Sequence, residues 1–224
     1  MRVHLEDEGV KVAVLDMAGT TVEENGSVPA AVERALRSVG VPPAPARLRE
    51  LRGMPKQRMF ELIVPDAIRA RAAYEEFVRA VVEAVRSGTV TAKPGAPSVF
   101  GRLRAHGIKI ALITGFPREI RDLVLEELGW SGFADLVLSP EDVGRGRPYP
   151  DLVWAAAARL EATGVRSTLV AGDTRNDLLA AYRAGVPAAI GVLGGAHDED
   201  ELRRVPHAAI ISGIAELPNA IALD

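Results

Sequence analysis

Three aspartates follow apolar runs at positions where strands of a sheet are predicted to end. Asp16 comes directly after the run Val12–Leu15, and Asp173 and Asp177 follow the run Thr168–Ala171. Carboxylates at the carboxyl ends of strands in an open α/β sheet lie in the crevice where ligands bind. Hard oxygen ligands of this kind suit Mg²⁺, which usually keeps several waters. The spacing therefore predicts a Mg²⁺ site, although each aspartate alone would also suit a helix cap.

A second candidate segment could bind an anion. Thr114 ends another apolar run and is followed by Gly115, Phe116 and Pro117. Proline suits the first position of a helix. The free N–H groups at such a helix start, together with the Thr114 hydroxyl, would form an anion site. A threonine that only caps the helix is the alternative.

A third segment supplies a candidate cation. Arg147 lies in the run Gly144–Pro150, just before an alanine-rich stretch. A fixed cation at this point would neutralise a phosphoryl group, or a nucleophile as its charge develops. Arg145 in the same run is the competing candidate, and we interpret it as a solvated loop charge.

Lys56 is the candidate amine of the chain. Gly53 suits a tight turn and Pro55 is placed to open a helix, so Lys56 is predicted to lie in the first helical turn. The positive end of the helix dipole disfavours an ammonium there. A lowered pKa is what an imine-forming amine requires. The alternative is that Lys56 is an ordinary surface charge.

The elements that must position these residues alternate along most of the chain. Helical patterns lie between the later apolar runs, and this alternation predicts an α/β fold with a doubly wound parallel sheet. The predicted buried strands are Val12–Leu15, Ile108–Thr114, Leu136–Ser139, Thr168–Ala171 and Ala188–Val192. The helical patterns between them are Pro117–Leu128, Pro150–Glu161 and Leu178–Ala184.

Residues 23–89 differ from the rest because they show only helical patterns. The helix candidates are Pro29–Val39, Lys56–Val64 and Ile68–Arg86, and prolines at positions 42, 43 and 45 separate the first from the others. We predict a small all-helical cap domain over 23–89, inserted after the first strand. The predicted core domain then consists of residues 1–22 and 90–224.

Bulk composition restricts the class of protein. The 224 residues are 48% hydrophobic and 25% charged, with a net charge of −3, which gives no electrostatic argument for nucleic acid or an anionic membrane. No apolar run approaches the roughly 20 residues of a membrane span, and the N-terminus lacks a secretory pattern. The absence of cysteine excludes disulfides, thiolate metal sites and a cysteine nucleophile. We expect a cytoplasmic protein that acts on a small molecule.

The motifs, in this order, resemble the haloacid dehalogenase (HAD) superfamily, and Ala18 indicates one of its branches. Ordinary HAD phosphatases have Asp-x-Asp-x-Thr, in which the first Asp is the nucleophile and the second the general acid and base. Here the run is Asp-Met-Ala-Gly-Thr-Thr over residues 16–21. It is similar to the phosphonoacetaldehyde hydrolase (phosphonatase) branch, which cleaves a carbon–phosphorus bond. The Gly-x-x-Lys, Thr-Gly, Gly-Arg-Pro-Tyr-Pro and Gly-Asp-Thr-x-x-Asp runs extend this resemblance from about residue 12 to 190.

The resemblance implies a HAD-type Rossmann-like core and a role for each candidate. Asp16 would be the nucleophile and form an aspartyl-phosphate. Lys56, Thr114 and Arg147 would be the other catalytic groups. Mg²⁺ would be held by Asp16, the Ala18 backbone carbonyl and Asp173, with Asp177 in support. Substrate or phosphate contacts are predicted for Gly19, Thr20, Arg52, Met54, Gly115 and Phe116.

Ala18 and Lys56 complement each other chemically in this comparison. In phosphonatases the cap lysine forms a Schiff base with the aldehyde of phosphonoacetaldehyde. The iminium lets the leaving carbanion depart as an enamine, so no general acid is needed at position 18. We therefore expect cleavage of a small carbonyl phosphonate. The chain departs from the family at Met59, where phosphonatases have a histidine. The family also implies a homodimer joined through the caps.

Two other functions are compatible with the sequence. The first is a phosphatase for small phosphomonoesters, in which water or Lys56 assists the leaving group. The second is a phosphate-ligand-binding or regulatory protein without catalysis. Ala18 motivates the second, but the intact Asp16, Thr114 and Asp173 argue against it.

Two further expectations concern basic residues. If Arg52 points into the cleft between cap and core, the substrate carries a second anionic group such as a carboxylate. The four histidines all fall away from the motifs and are interpreted as surface or packing residues; they are His4, His106, His197 and His207.

Overall fold

The computed structural model describes residues 9–223 and is built on a six-stranded parallel sheet. The strands over this range are β1 (Val12–Asp16), β2 (Val22–Glu23), β3 (Thr91–Ala92), β4 (Lys109–Ile113), β5 (Leu136–Leu138), β6 (Thr168–Gly172), β7 (Ala188–Val192) and β8 (Ala209–Ile211). The large sheet has the order β5-β4-β1-β6-β7-β8. Every neighbouring pair in it is parallel.

Helices cover both faces of this sheet. They are α1 (Ser27–Ser38), α2 (Pro45–Glu50), α3 (Lys56–Ile63), α4 (Ala67–Arg86), α5 (Ala96–Ala105), α6 (Arg118–Glu127), α7 (Asp151–Arg159), α8 (Arg175–Ala184), α9 (Glu199–Leu202) and α10 (Leu217–Ala220). Alternate residues of β1 point to opposite faces. Ala13 and Leu15 join an apolar core with α5, α6 and α10, whereas Val12 and Val14 join one with α7, α8 and α9. The doubly wound α/β fold is confirmed.

The register of β1 explains why the candidate residues converge. β1 lies between β4 and β6, with Asp16 opposite Ile113 and Leu15 opposite Ala171. The three strands therefore end at nearly the same level. Because parallel strands present their carboxyl ends at one edge, the loops after β1, β4 and β6 share a single crevice.

The helices α1–α4 leave and return through a two-stranded antiparallel pair formed by β2 and β3. α4 packs against α1 and α3, with the rings of Phe60 and Phe77 5.7 Å apart. An apolar stripe on α4 consists of Ala72, Ala73, Phe77, Ala80, Val81 and Ala84. Four of these are buried, while Ala72 is exposed and Ala84 half-buried. Most of this stripe therefore packs within the helical segment.

Some elements were missed by the sequence patterns. β8, α5 and the short helix α2 had no predicted counterpart. α8 starts at Arg175, three residues before the predicted start, because the Thr174 and Asp177 side chains form a capping box there. The Gly-Asp-Thr-x-x-Asp run, which was identified as a catalytic motif, thus also starts this helix.

No helix among residues 9–223 is both long enough and apolar enough to cross a membrane. The inferences drawn from His4 and from the first residues of the chain lie outside the described residues. The homodimer and the cytoplasmic location stay predictions.

Candidate active site

Three carboxylates meet where β1 and β6 end, and we call Asp16, Asp173 and Asp177 the carboxylate cluster. Asp16 is the last residue of β1, Asp173 follows β6 directly, and Asp177 lies in the first turn of α8. One oxygen of each lies within 4.8 Å of the others, and all three residues are buried. The structure thus brings together the side chains that the sequence suggested as metal ligands.

Arg147 lies against this cluster. Its Nη1 is 2.6 Å from Asp16 Oδ1 and also forms an ion pair with Asp177. Asp16 Oδ1 accepts no well-aligned hydrogen bond from the described residues, and Arg147 contacts it as an ion pair. Arg145 instead pairs with Asp151, with its side chain 58% exposed. The interpretation of Arg145 as a solvated loop charge is confirmed.

Burial and mutual repulsion raise the pKa of two of the carboxyls. For Asp16 burial is the largest cause and the charges of Asp177 and Asp173 add to it, whereas Arg147 opposes the shift. The pKa of Asp173 is raised by burial and then by Asp177. Burial opposes the charge of Arg147, but Asp16 and Asp177 outweigh it and raise the pKa of the guanidinium. One guanidinium leaves three buried carboxylates under-compensated, and a divalent cation would supply the missing positive charge.

The loop after Asp16 uses its own polar groups internally. The N–H of Gly19 donates to the Val22 carbonyl at 2.8 Å, and the N–H of Thr20 donates to the Met17 carbonyl at 3.1 Å. The Thr20 hydroxyl donates to Asp173 Oδ1 at 3.1 Å. These groups of Gly19 and Thr20 therefore shape the loop and orient Asp173, and the contact of both residues with phosphate stays a prediction.

The loop after β4 touches the segment that carries the lysine. The buried Thr114 accepts the N–H of Phe116 on Oγ1 at 3.1 Å, and the Gly115 carbonyl accepts the N–H of Lys56 at 3.2 Å. A Cβ on Gly115 would lie 2.7 Å from the Met54 carbonyl oxygen. Only glycine permits so close an approach of two backbones. The predicted contact residues Gly115 and Met54 therefore join core and cap directly.

Lys56 is buried, contrary to its reading as a surface charge. It is the first residue of α3 and only 7% exposed. Its Nζ lies 5.9 Å from the centroid of the Phe116 ring, within the range of a cation–π contact. Burial, and next the charge of Arg52, lower the pKa of Lys56 to about 8, while Glu24 acts in the opposite direction. A substantial fraction of this amine is neutral near pH 8.

Arg52 lies beside the lysine but is already paired. Its Nη2 donates to Glu24 Oε1 at 3.1 Å, and the two side chains are 23% and 13% exposed. We call Lys56, Arg52 and Glu24 the lysine cluster. Arg52 lines the crevice and is balanced by a carboxylate of the protein, and the second anionic group that it suggested on the substrate stays a prediction.

Two cavities meet at these groups. The smaller, of about 20 Å³, is lined by Asp16, Ala18, Glu24, Lys56, Thr114 and Arg147, among others. The larger, of about 440 Å³, lies between α3 and the loop before α7 and is bordered by Met54 and the half-exposed Tyr149. Lys56, Gly115 and Arg147 border both. The predicted catalytic side chains therefore surround one small space that adjoins a roomier one.

Sequence reasoning overlooked two residues that join this crevice to the cap. Asn176 Nδ2 donates to the Arg52 carbonyl at 2.5 Å. His197 accepts the N–H of Arg175 on Nδ1 at 3.0 Å, so its Nε2 is left to donate to the Arg49 carbonyl, 3.0 Å away. His197 is buried, as expected of a packing residue, but it contacts Arg175 of the Gly-Asp-Thr-x-x-Asp run, which its distance along the sequence did not suggest.

Glu24 and His197 carried a weak signal in the sequence. Glu24 follows the first motif directly after the short strand β2, and His197 follows β7, whose carboxyl end lies at the same sheet edge. The N–H of Ala196, next to His197, donates to Asp173 Oδ2 at 2.6 Å. The signal for Glu24 was its closeness to the first motif, and the signal for His197 was its position after a strand that ends at the shared sheet edge.

A family model for haloacid dehalogenase-like hydrolases matches residues 10–185. The chain belongs to this family. The match includes all four motifs and the segment of Lys56, so this HAD hydrolase has its family's core together with the helices inserted into it.

Curated relatives refine this assignment. The HAD hydrolase is 30% identical over 216 residues to the probable phosphatase IndB of Dickeya dadantii, covering 93% of this chain and 92% of that protein. It is 29% identical over 208 residues to the phosphonoacetaldehyde hydrolase of Bacillus cereus strain G9842, covering 84% and 78%. A hydrolase structure from Pseudomonas syringae matches with a TM-score of 0.84 at 25% identity, over 93% of this chain and 96% of that one. The chain is thus an enzyme of the HAD-like hydrolase family, similar in sequence both to a probable phosphatase and to phosphonoacetaldehyde hydrolases.

Proposed function

We propose that this HAD hydrolase cleaves the C–P bond of a small carbonyl phosphonate, phosphonoacetaldehyde or a relative, through a Schiff base on Lys56. One observation carries the proposal. The buried amine of Lys56 borders the same small cavity as Asp16, and Ala18 offers no acid there. A buried amine whose pKa is about 8 is suited to attack a carbonyl.

The residues divide the reaction between them. The Lys56 amine adds to the substrate carbonyl and water leaves, which gives an iminium. A carboxylate oxygen of Asp16 then attacks phosphorus, and the electrons of the C–P bond pass into the iminium, so the organic fragment departs as an enamine. Protonation of the enamine carbon and two hydrolyses by water release phosphate, the aldehyde and the free side chains of both residues.

The carboxylate cluster fits Mg²⁺. Asp16 Oδ1 lacks a hydrogen bond within the described residues, and the neighbouring carboxyls repel one another. Asp16, Asp173 and the Ala18 carbonyl would hold the ion. Asp177 would support it from further out, since its oxygens already accept from Thr174 and Arg147. When bound, Mg²⁺ would neutralise charge on the phosphoryl oxygens.

A phosphatase for small phosphomonoesters is the second candidate. The relative from Dickeya dadantii is named a probable phosphatase, which favours this reading. Without an acid at Ala18, such an enzyme would need a good leaving group or help from Lys56 or water. A protein that only binds a phosphate ligand is the weakest candidate, because nucleophile, cation and carboxylate cluster are all intact.

The deciding experiment compares phosphonoacetaldehyde with p-nitrophenyl phosphate in the presence of Mg²⁺, with and without borohydride. We expect phosphate from the phosphonate, and borohydride should stop turnover and attach the organic fragment to Lys56. The chain has four lysines, so peptide mapping is unambiguous. Lys93, paired with Glu23 in a partly buried site, is the internal control. Phosphate release from the ester alone, with no labelled lysine, would establish the phosphatase instead.

A further inference from the structure

Glu24 is a buried carboxyl in the small cavity that the proposed reaction leaves without a role. Its Oε1 accepts from Arg52, while its Oε2 is shielded from solvent and has no hydrogen-bond partner among the described residues. A buried carboxylate oxygen without a partner is costly. The oxygen therefore suits a proton, or a polar group of a bound substrate.

Few groups in this cavity can carry a proton to and fro. Of the described residues that line it, the ionisable ones outside the carboxylate cluster are Glu24, Arg52, Lys56 and Arg147. A guanidinium keeps its protons at any ordinary pH, and the Lys56 amine is the reacting nucleophile. Glu24 is the remaining group that can both accept a proton and return it.

We propose that Glu24 is the general acid and base for imine formation at Lys56. This inference rests on the proposed function, because it assigns a role within the same reaction. Arg52 holds one oxygen of the carboxyl and leaves the other, Oε2, free for the substrate.

The proton transfers balance if Glu24 starts as the neutral acid. As the amine adds to the carbonyl carbon, Glu24 protonates the carbonyl oxygen. The resulting carboxylate takes one proton from the adduct nitrogen and then gives it to the hydroxyl as the C–O bond breaks. Water leaves, the iminium keeps one N–H, and Glu24 ends as the carboxylate.

The surroundings shift the pKa of both Glu24 and Lys56 away from their ordinary values. Burial raises the pKa of Glu24, with a smaller contribution from Asp173, although Arg52 and Lys56 act against it. Burial and the charges of Arg52 and Arg147 lower the pKa of Lys56, although Glu24 and Asp16 act against that. The carboxyl is thus a weaker acid than usual and the amine a weaker base, so both groups are suited to exchange protons with a bound substrate.

The test compares Glu24→Gln with Glu23→Gln, a control in the adjacent residue that pairs with Lys93 instead. The measured quantity is the rate at which saturating phosphonoacetaldehyde and borohydride label Lys56, from pH 6 to 9. Loss of general acid–base catalysis predicts labelling and phosphate release about 10²-fold slower or more in Glu24→Gln across this range. The control should label at the wild-type rate.

A merely electrostatic role predicts the opposite sign. Removing the negative charge of Glu24 lowers the pKa of Lys56, which frees more amine at pH 7 and speeds labelling. Labelling at or above the wild-type rate would therefore overturn the inference while the proposed function stands. A wild-type protein that cleaves its substrate without labelling would remove the proposed function, and this inference with it.

Folding of the variant is checked separately by circular dichroism. Should Glu24→Gln not fold, Glu24→Asp keeps the carboxyl and withdraws it by one methylene. Slower labelling with that variant supports the inference, and an unchanged rate contradicts it.

Discussion

The carboxylate cluster and the lysine cluster border one cavity, yet burial has opposite consequences in them. In the first, burial and repulsion raise the pKa of Asp16 and Asp173. In the second, burial lowers the pKa of Lys56 to about 8. The first cluster requires added positive charge, whereas the second is arranged so that its amine can lose charge. Binding a cation and releasing a proton are thus separate tasks of the two clusters.

The two clusters also differ in how they are held. Asp16 and Asp173 stand at the ends of β1 and β6, strands paired within the large sheet. Lys56 lies at the start of α3, and its backbone N–H bonds to the Gly115 carbonyl of the core. The proposed phosphoryl chemistry therefore belongs to residues at the ends of paired strands, and the proposed carbonyl chemistry to an inserted segment. Changing that segment could alter the substrate without disturbing the nucleophile.

The largest effect should come from the carboxylate cluster. Asp16→Asn removes the proposed nucleophile, so phosphate release should fall by at least about 10⁴-fold with either a phosphonate or an ester. Because the pKa of Asp16 is raised, its charge costs stability, and the metal-free variant should melt at an equal or higher temperature. Measured turnover near the wild-type rate would remove Asp16 from the mechanism.

Lys56→Met tests the role of the lysine cluster. We expect C–P cleavage to fall by about 10³-fold or more, with borohydride labelling abolished, while any p-nitrophenyl phosphate hydrolysis falls less than about tenfold. The folded protein should gain stability at pH 7, by about 3 kcal/mol at most, since the charged amine is disfavoured by burial. Urea unfolding and parallel assays measure both effects. Equal loss on both substrates would instead assign Lys56 to phosphate binding.

The pH dependence of C–P cleavage tests whether the pKa of Lys56 governs activity. Since the pKa of Lys56 is about 8 in the folded protein and 10.5 ordinarily, C–P cleavage should rise with pH up to about 8 and then level off. The folded state binds fewer protons than the unfolded state between these values, so stability should also rise from pH 8 to 10.5. Arg52→Gln removes a charge that lowers this pKa and should move the activity profile to higher pH. If the pH profile of activity were the same in Arg52→Gln and in the wild type, a group other than Lys56 would be responsible for it.

Sequence reasoning was more successful with the core than with the lysine cluster. Asp16 and Asp173 follow apolar runs directly, so strand prediction alone placed them at one sheet edge. Glu24 and His197 act through tertiary contacts with segments far along the chain, and no local pattern shows such partners. The burial of Lys56 is similar, because the neighbours that cover it come from the loop after β4.

Gly115→Ala tests whether the clusters must approach closely. Its Cβ would meet the Met54 carbonyl oxygen at 2.7 Å, and moving that backbone also displaces Lys56. Because small displacements of reacting groups are costly, we expect C–P cleavage to fall by about 10–100-fold. Gly101→Ala is the matched control: its Cβ meets nothing within 4 Å inside α5, and alanine should stabilise that helix by up to about 1 kcal/mol. Similar activity in both variants would mean that catalysis does not depend on the close approach of the Gly115 and Met54 backbones.

The smallest effect concerns the connection between the clusters through His197. Its ring is 4% exposed and bonds to backbone groups of Arg175 and Arg49, so His197→Ala leaves an N–H and a carbonyl without these partners. Two such losses predict about 1–3 kcal/mol of destabilisation. Since the ring touches neither Asp16 nor Lys56 in the contacts described, kcat should change less than about threefold. Urea unfolding beside His207→Ala, whose ring bonds to the Val205 carbonyl two residues away, separates the loss of the His197 contacts from the loss of any histidine ring. A large fall in kcat with unchanged stability would show that the His197 contacts position the lysine cluster during turnover.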